Sequence, residues 1–553
     1  MKKLVAAMLV MSMAITSLAG CQGGSSSGTT QTTAASASEG TEAETQETTA
    51  GQAQDVGEPV YGGTLRVAVN GNVSAQSLDP FYIDSGSADQ IVQNYGDTLI
   101  LNNDEGDAFV PNIATDWSIS DDGLEYTFHI RDDVYFQPGT YQDGRKMTAE
   151  DVAYSLIRSK GYWCNYLPYL KDVQAPDETT VVCTLEYPNA TFLYQLTHSS
   201  TIMVCKEEVE GWGEDYGMHV VGTGPFTVVE HVPEQHTKLI RNEKYWGPKP
   251  YLDNLEYINI RDDAQAVNAL QTGEIDIVVS LSAEGCSQIA SKDGITLCQR
   301  PYNRVAEFGF NMKDPVLSDE RVRKALIMAV DYEQLASGTF TEGTGVVGRL
   351  PLPITSWGYD KSMEDLIPAY DPEGAKALLA EAGYANGLEL DLSTGGSDEE
   401  IRSATILEAF FSQVGVKLNV KTVSTAEITE QFQNGTFQVF RRTQGGSADP
   451  ATFIGYFFNT EKMGTNYNAW GYSDPETDAL INQALAETDQ EARKELYAQI
   501  MERGCEQNVG IFFASLNLSF GVNSKVHGYI QQNNAVLKIC GPEETGINIW
   551  KEP

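Results

Sequence analysis

The sequence predicts an α/β protein in which mixed sheets are flanked by helices and the chain is shared among several domains. Three observations predict it. Residues 388–440 switch between two periodicities: Leu388, Leu390 and Leu392 alternate with Glu389 and Asp391, then Ile406, Leu407, Phe410, Phe411 and Val414 make a helical stripe, and Val416, Leu418 and Val420 alternate again. A further helix over 426–434 and a strand over 437–440 extend this to βαβαβ. Residues 221–279 read as a tight Gly222-Thr223-Gly224-Pro225 turn, a hairpin, a strand, a short helix and an apolar strand. Finally, 553 residues are too many for one hydrophobic core and suggest two to four domains.

Taken in order, the chain opens on an address. Lys2 and Lys3 precede an apolar run, residues 4–18, that Ser12, Thr16 and Ser17 interrupt and that is too short to span a bilayer. Residues 1–20 are therefore expected to be a signal peptide. Leu18-Ala19-Gly20-Cys21 resembles a lipobox, in which the Cys21 thiol takes a diacylglycerol and becomes the mature N-terminus; two acyl chains hold a protein on a membrane where one is marginal. Residues 21–59 follow as an acidic linker of Ser, Thr, Ala, Gly and Glu that cannot bury enough surface to fold. Its typical span as a flexible coil is roughly 35 Å. A G-x-S-x-G match at residues 24–28 lies inside this linker, away from any strand-to-helix turn, and is chance.

The folded part begins with a strand over 61–69 and a Ser77-Leu78-Asp79-Pro80 loop. Residues 114–131 read as a turn into a strand carrying Leu124, Tyr126 and Phe128, and Thr148 with Asp151 opens a helix over 152–158. After 221–279, residues 318–331 form a helix with acids in its first turn, favoured by the helix dipole. Gly343-Thr-Gly345-Val-Val-Gly348 fits a dinucleotide fingerprint in letters, but no apolar strand precedes it, and Pro351 and Pro353 stop a helix, so a loop is expected. Asp371-Pro372 starts a helix ending at Gly383, and Asp474-Pro475 starts another.

GTGPF at 222–226, NEKYWG at 242–247 and LQTGEIDI at 270–277, with DGLEYTFHIRDDVYF, TAEDVAYSL and RVRKAL in matching order, resemble the extracellular solute-binding proteins of family 5, the peptide receptors of ABC importers. The resemblance spans about residues 61–529. It implies a two-lobed periplasmic-binding-protein-like fold: a discontinuous first domain (60–100, 220–301 and 511–553), an inserted second domain (101–219) and a second ligand-binding lobe (302–510). It also implies a monomer that closes on a small solute, a peptide by default, and hands it to permease subunits. In peptide-binding relatives an Asp four residues before the Pro of this loop meets the peptide α-ammonium; here Gly446 occupies that place and Asp449 lies one residue before Pro450.

In open α/β sheets ligands sit beyond the carboxyl ends of the strands. The candidate ligand residues are therefore Asp84, Ser85, Thr394, Arg442, Gln444, Gly446, Asp449 and Trp470, with Cys21 as the lipidation site. The 393–398 loop leads into a helix N-terminus able to hold an anion. Arg441, Arg442 and Gln444 suit a ligand with acceptor oxygens, unless the arginines pair with acids of the protein. Trp470 and Tyr467 either wall a cavity or belong to the core.

Acidic side chains outnumber basic ones 77 to 37, a net charge of −40 that repels phosphates and excludes nucleic acid as a partner. Solubility and attraction for cationic solutes are the positive readings. The seven cysteines after Cys21 form no C-x-x-C; Cys286 with Cys298 or Cys183 with Cys205 are possible disulfides, and buried free thiols the alternative. No metal, cofactor or catalytic role is expected: H-E-x-x-H is absent, and His231 and His236 flank a hairpin turn. Besides a receptor for peptides, oligosaccharides, opines or other small polar solutes, the readings kept open are a surface sensor and, remotely, a secreted hydrolase.

Overall fold

The computed structural model describes residues 58–69, 76–83, 86–103, 106–160, 167–465, 467–528 and 537–553. The signal peptide, Cys21, nearly all of the linker, Asp84, Ser85 and Cys164 lie outside the described residues. Among the described residues no helix is long and apolar enough to cross a membrane.

The chain enters on β1 (Thr64–Val69). Residues 114–185 then build their own antiparallel sheet from β2 (Ala114–Ile119), β3 (Glu125–Ile130), β4 (Leu170–Gln174) and β5 (Thr180–Leu185), in the order β2-β3-β5-β4. Helix α1 (Ala149–Lys160) buries Val152 and Leu156 in the core of this segment. The 226–310 stretch supplies β6 (Phe226–Val232), β7 (His236–Arg241), β8 (Asn254–Asn259), helix α2 (Asp263–Thr272), β9 (Ile277–Val279) and β10 (Ile295–Phe310). The Asp262 carboxylate caps α2, and Gly273, at φ +76°, closes it in the left-handed conformation that a Cβ would strain.

Beyond β10 come helices α3 (Glu320–Met328) and α4 (Tyr332–Thr339), then β11 (Gly345–Val347), β12 (Leu388–Thr394), α5 (Asp398–Gln413), β13 (Val416–Thr422), α6 (Thr425–Asn434) and β14 (Val439–Gly445). Helices α7 (Pro475–Ala486) and α8 (Gln490–Glu506) precede the final long strand, β15 (Gly510–Asn523). Strands β12, β13 and β14 are parallel, as their alternation with amphipathic helices requires.

One mixed sheet runs β13-β12-β14-β10-β15-β9-β1-β8-β7-β6, with β11 added on β15. Its two ends have separate cores, one drawn from Val305 to Ala514 and rich in phenylalanine, the other centred on Leu65, Val67, Leu255 and Ile277. Strands β10 and β15 connect them, paired antiparallel from Ile295 opposite Asn523 to Gly309 opposite Gly510, with a bulge between Pro301 and Val305. A bulge interrupts the ladder and bends the strand locally.

Four local expectations change. Residues 114–119 are a strand rather than part of a turn, because they pair with β3 around the Asp122-Gly123 bend. The helix expected over 318–331 is two, because Asp319 and Asp331 each cap a separate start. The 343–348 loop contains β11, which pairs with Ala514, Ser515 and Leu516. The six described cysteines are free thiols, so the 286–298 and 183–205 disulfides do not form.

His231, on β6, contacts the Thr237 hydroxyl through Nδ1 at 2.8 Å. Burial, with the neighbouring His236 charge adding to it, pushes the His231 pKa down to about 4. The unfolded chain titrates near 6.5 and so binds the proton first. Stability is therefore complete above that value and declines as pH falls toward about 4. Urea midpoints measured between pH 7 and pH 4.5 should fall less steeply for His231→Asn than for the parent; parallel slopes would contradict this.

Candidate functional site

The parallel strands β12 and β14 end at Thr394 and Gly445. Strand β10 runs the other way, with Arg304 opposite Gly445 and Phe308 opposite Arg441. The carboxyl ends of the parallel strands, the bulge of β10 and the 444–449 turn therefore meet at one edge. The turn is fixed from below: Gly446 N–H donates to the Asn303 carbonyl at 3.0 Å, the Thr355 hydroxyl to Asn303 Oδ1 at 2.6 Å, and the Ser356 hydroxyl to the Ala448 carbonyl at 2.8 Å.

Position 446 holds glycine for a steric reason. A Cβ there would lie 2.6 Å from the Phe453 ring and 2.7 Å from Thr452 Oγ1. The turn thus has no room for the ammonium-pairing aspartate that the resemblance places there. Gly446→Asp is expected to lower stability by about 1–3 kcal/mol through overpacking and to create no affinity for peptide amines. Thermal unfolding and calorimetry with Ala-Ala-Ala check both halves.

Asp449 cannot stand in for it. Its carboxylate caps Ala451 N–H at 2.9 Å and accepts two hydrogen bonds from Arg493 Nη2 at 2.8 and 2.7 Å, with both side chains buried. The Arg493 guanidinium lies over Trp357 and Tyr497, 5.1 and 5.5 Å from the ring centres. This is a structural ion pair whose charges are already matched.

Arg441 and Arg442 point to opposite faces of β14, as neighbours on a strand must. Arg442 sits among Phe432, Phe440, Phe457 and Trp470, at 5.0–5.7 Å from their ring centres. Its Nε donates to Glu307, and its Nη2 to the Tyr467 carbonyl at 3.1 Å. Trp470, a candidate cavity wall, is fully buried in this aromatic core. Gln444 is half-buried and donates to the Gly445 carbonyl.

Arg441 is different. Its side chain is 1 % exposed, yet no carboxylate lies within ion-pair distance among the described residues. Nε donates to the Ser403 hydroxyl on α5 at 3.0 Å and Nη1 to the Arg442 carbonyl and, at 3.2 Å, to the Thr443 hydroxyl, while Nη2 has no partner. The Phe308 and Phe513 rings flank the guanidinium. Burial pushes its pKa down to about 10, against the more distant pull of Glu400, Glu399 and Glu307. Thr394 is beside it, since Ser393 registers with Phe440, and the Thr394 hydroxyl is likewise buried without a partner.

The N-terminus of α5 is not the anion site expected from the sequence. Ser397 and Glu400 form a capping box, with the Glu400 carboxylate accepting from Ser397 N–H and Oγ at 3.2 and 2.8 Å. Asp398 and Glu399 share the same turn, so the helix dipole is already compensated. Glu399 is half-buried, and burial pushes its pKa up against the opposing charges of Arg441, Arg402 and Arg304. Of the other candidate residues, Asp84 and Ser85 lie outside the described residues. Arg304, Ser403 and Thr443 were not singled out from the sequence, where nothing marks them: they become neighbours through strand register.

Comparisons with known proteins agree with this architecture. The family model described as bacterial extracellular solute-binding proteins, family 5 Middle, matches residues 108–465. The chain is 30 % identical over 450 residues to heme-binding protein A of Haemophilus influenzae, covering 76 % of this chain and 81 % of that protein. It is 28 % identical over 451 residues to the dipeptide-binding protein of Escherichia coli, covering 76 % and 83 %. Among solved structures, HbpA2 from Haemophilus parasuis superposes with a TM-score of 0.80 at 24 % identity, covering 89 % of this chain and all of that one. The fold is accordingly the two-lobed α/β arrangement of periplasmic binding proteins, with an inserted domain.

Proposed function

This chain belongs to the bacterial extracellular solute-binding proteins of family 5, and from that premise we propose that it is a lipid-anchored receptor that captures a small extracellular solute between its lobes and passes it to the permease of an ABC importer. A peptide is the favoured solute. The lobes are 60–100 with 220–301 and 511–553 on one side, carrying the inserted 101–219, and 302–510 on the other, hinged where β10 and β15 cross. Cys21 carries the lipid, and the protein acts as a monomer without catalysis or cofactor.

The observation that carries this reading is Arg441. A buried guanidinium without a counter-ion is costly, and a ligand carboxylate would supply the missing charge. Arg441 meets that description at the strand ends where α/β sheets place their ligands. The partnerless Thr394 hydroxyl beside it offers a second contact for the same carboxylate. Gly446 favours a second reading alongside the first: a peptide bound without an amine clamp, or a different small polar solute such as an oligosaccharide or opine.

A thermal-shift screen across di- to pentapeptides, sugars and metal chelates tests the reading. Stabilisation by carboxylate-bearing members is expected; stabilisation by none would overturn solute capture, and by sugars alone would overturn peptide import.

A further inference from the structure

The protein is strongly acidic, so its arginines rarely lack a partner. Arg66, Arg131, Arg145, Arg158, Arg241, Arg261, Arg321, Arg442, Arg493 and Arg503 pair with carboxylates. Arg323, Arg349 and Arg402 donate to distant carbonyls. Among the described residues this leaves Arg300 and Arg304 on β10 and Arg441 on β14, and of these Arg304 is directly opposite Gly445. With acids outnumbering bases 77 to 37, arginines without a carboxylate at ion-pair distance are not what composition alone would leave.

Register aligns two of them. Arg304 pairs with Gly445, Ala306 with Thr443 and Phe308 with Arg441, so Arg304, Thr443 and Arg441 project from the same face of the sheet. Gly445 leaves that face bare: the position of a Cβ there is 3.5 Å from Arg304 Nε, so the guanidinium lies over the turn. Arg304 is exposed, steadied by the Tyr302 ring 5.2 Å away, and no carboxylate lies within ion-pair distance of it among the described residues. Glu399 faces this row and feels Arg441, Arg402 and Arg304 together.

We propose that the solute group seated at the Gly445-Gly446 turn is an anion, a carboxylate held by Arg304, so that the receptor selects acidic solutes whose α-ammonium is absent or blocked. The proposal rests on the solute-capture reading above and names its solute class. Where the sequence resemblance leads one to expect a carboxylate for an ammonium, this turn presents a guanidinium and excludes the aspartate by sterics. Four residues of strand separate Arg304's partner Gly445 from Arg441, about 13 Å at the usual rise, so a solute that bridges the two carries acidic groups at both ends. This class also overrides the preference for cationic solutes that the net charge suggests, because a contact charge outweighs a field screened within about 10 Å.

Isothermal titration calorimetry with four probes tests it: Ala-Ala-Ala, N-acetyl-Ala-Ala-Ala, N-succinyl-Ala-Ala-Ala and succinate, each against the parent protein and Arg304→Gln. The succinyl peptide is expected to bind about tenfold more tightly than the free-amino peptide, the worth of one charge-assisted hydrogen bond, and Arg304→Gln should remove that difference. Because Arg304 is exposed, this variant keeps its fold, and matching thermal unfolding curves verify it. A preference for the free-amino peptide, or an unchanged succinyl advantage in Arg304→Gln, overturns the proposal and leaves solute capture standing. Binding of succinate alone keeps the anion site and overturns peptide capture; binding of none of the four overturns both.

Discussion

Replacing Arg441 with methionine is expected to weaken solute binding about a hundredfold while leaving the empty protein as stable as the parent or more so. The two effects have one cause. In the empty site the Arg441 guanidinium is buried without a carboxylate, and its Nη2 has no acceptor. An apolar side chain of similar length removes that cost, and such replacements of buried charge are neutral or stabilising by about 1–4 kcal/mol. In the loaded site the same guanidinium meets the solute's carboxylate, and truncating one member of a buried pair costs about 2–5 kcal/mol in affinity. Urea unfolding of the empty protein and calorimetry with the best hit of the screen read the two halves separately. A purely structural Arg441 predicts the opposite stability change, because its bonds to Ser403 and Thr443 would be lost with nothing gained.

Asp449→Ala is the second large effect, and it is on stability. Arg493 would remain buried with no anion, since both of its Asp449 contacts come from Nη2 and no other carboxylate pairs with it among the described residues. The expected loss is about 3–5 kcal/mol. The double variant Asp449→Ala, Arg493→Met is expected to recover a large part of this, because Trp357 and Tyr497 line the space and accept an apolar chain. Solute affinity of the folded double variant should match the parent's. A loss of affinity with little loss of stability would instead make Asp449 a ligand contact.

These two residues show where sequence reading succeeds and where it stops. The βαβαβ unit over 388–440 was legible because its apolar positions change period at each boundary, and the helix starts at Asp371 and Asp474 were legible because each caps as its residue type predicts. Strand β2 was not, because five of its six residues are half-buried or exposed and the pattern offers no alternation. The sequence pointed to a candidate place, beyond Thr394 and at the 444–449 turn, but not to the partners each side chain has there. Arg441 and Arg442 are adjacent and identical in type. What separates them is Glu307, 135 residues away in sequence, which register puts under one and not the other. Asp449 looked available for the same reason: its partner Arg493 is 44 residues downstream on a helix that no local pattern ties to the turn.

The measurement that tests solute capture most directly is native mass spectrometry of the protein purified without denaturation, beside Arg441→Met prepared identically. The parent should carry one small molecule per chain, and Arg441→Met should fly without it. A parent spectrum without adduct after growth in peptide-rich medium, or an adduct retained equally by Arg441→Met, would contradict an anion-anchored solute held where β12 and β14 end.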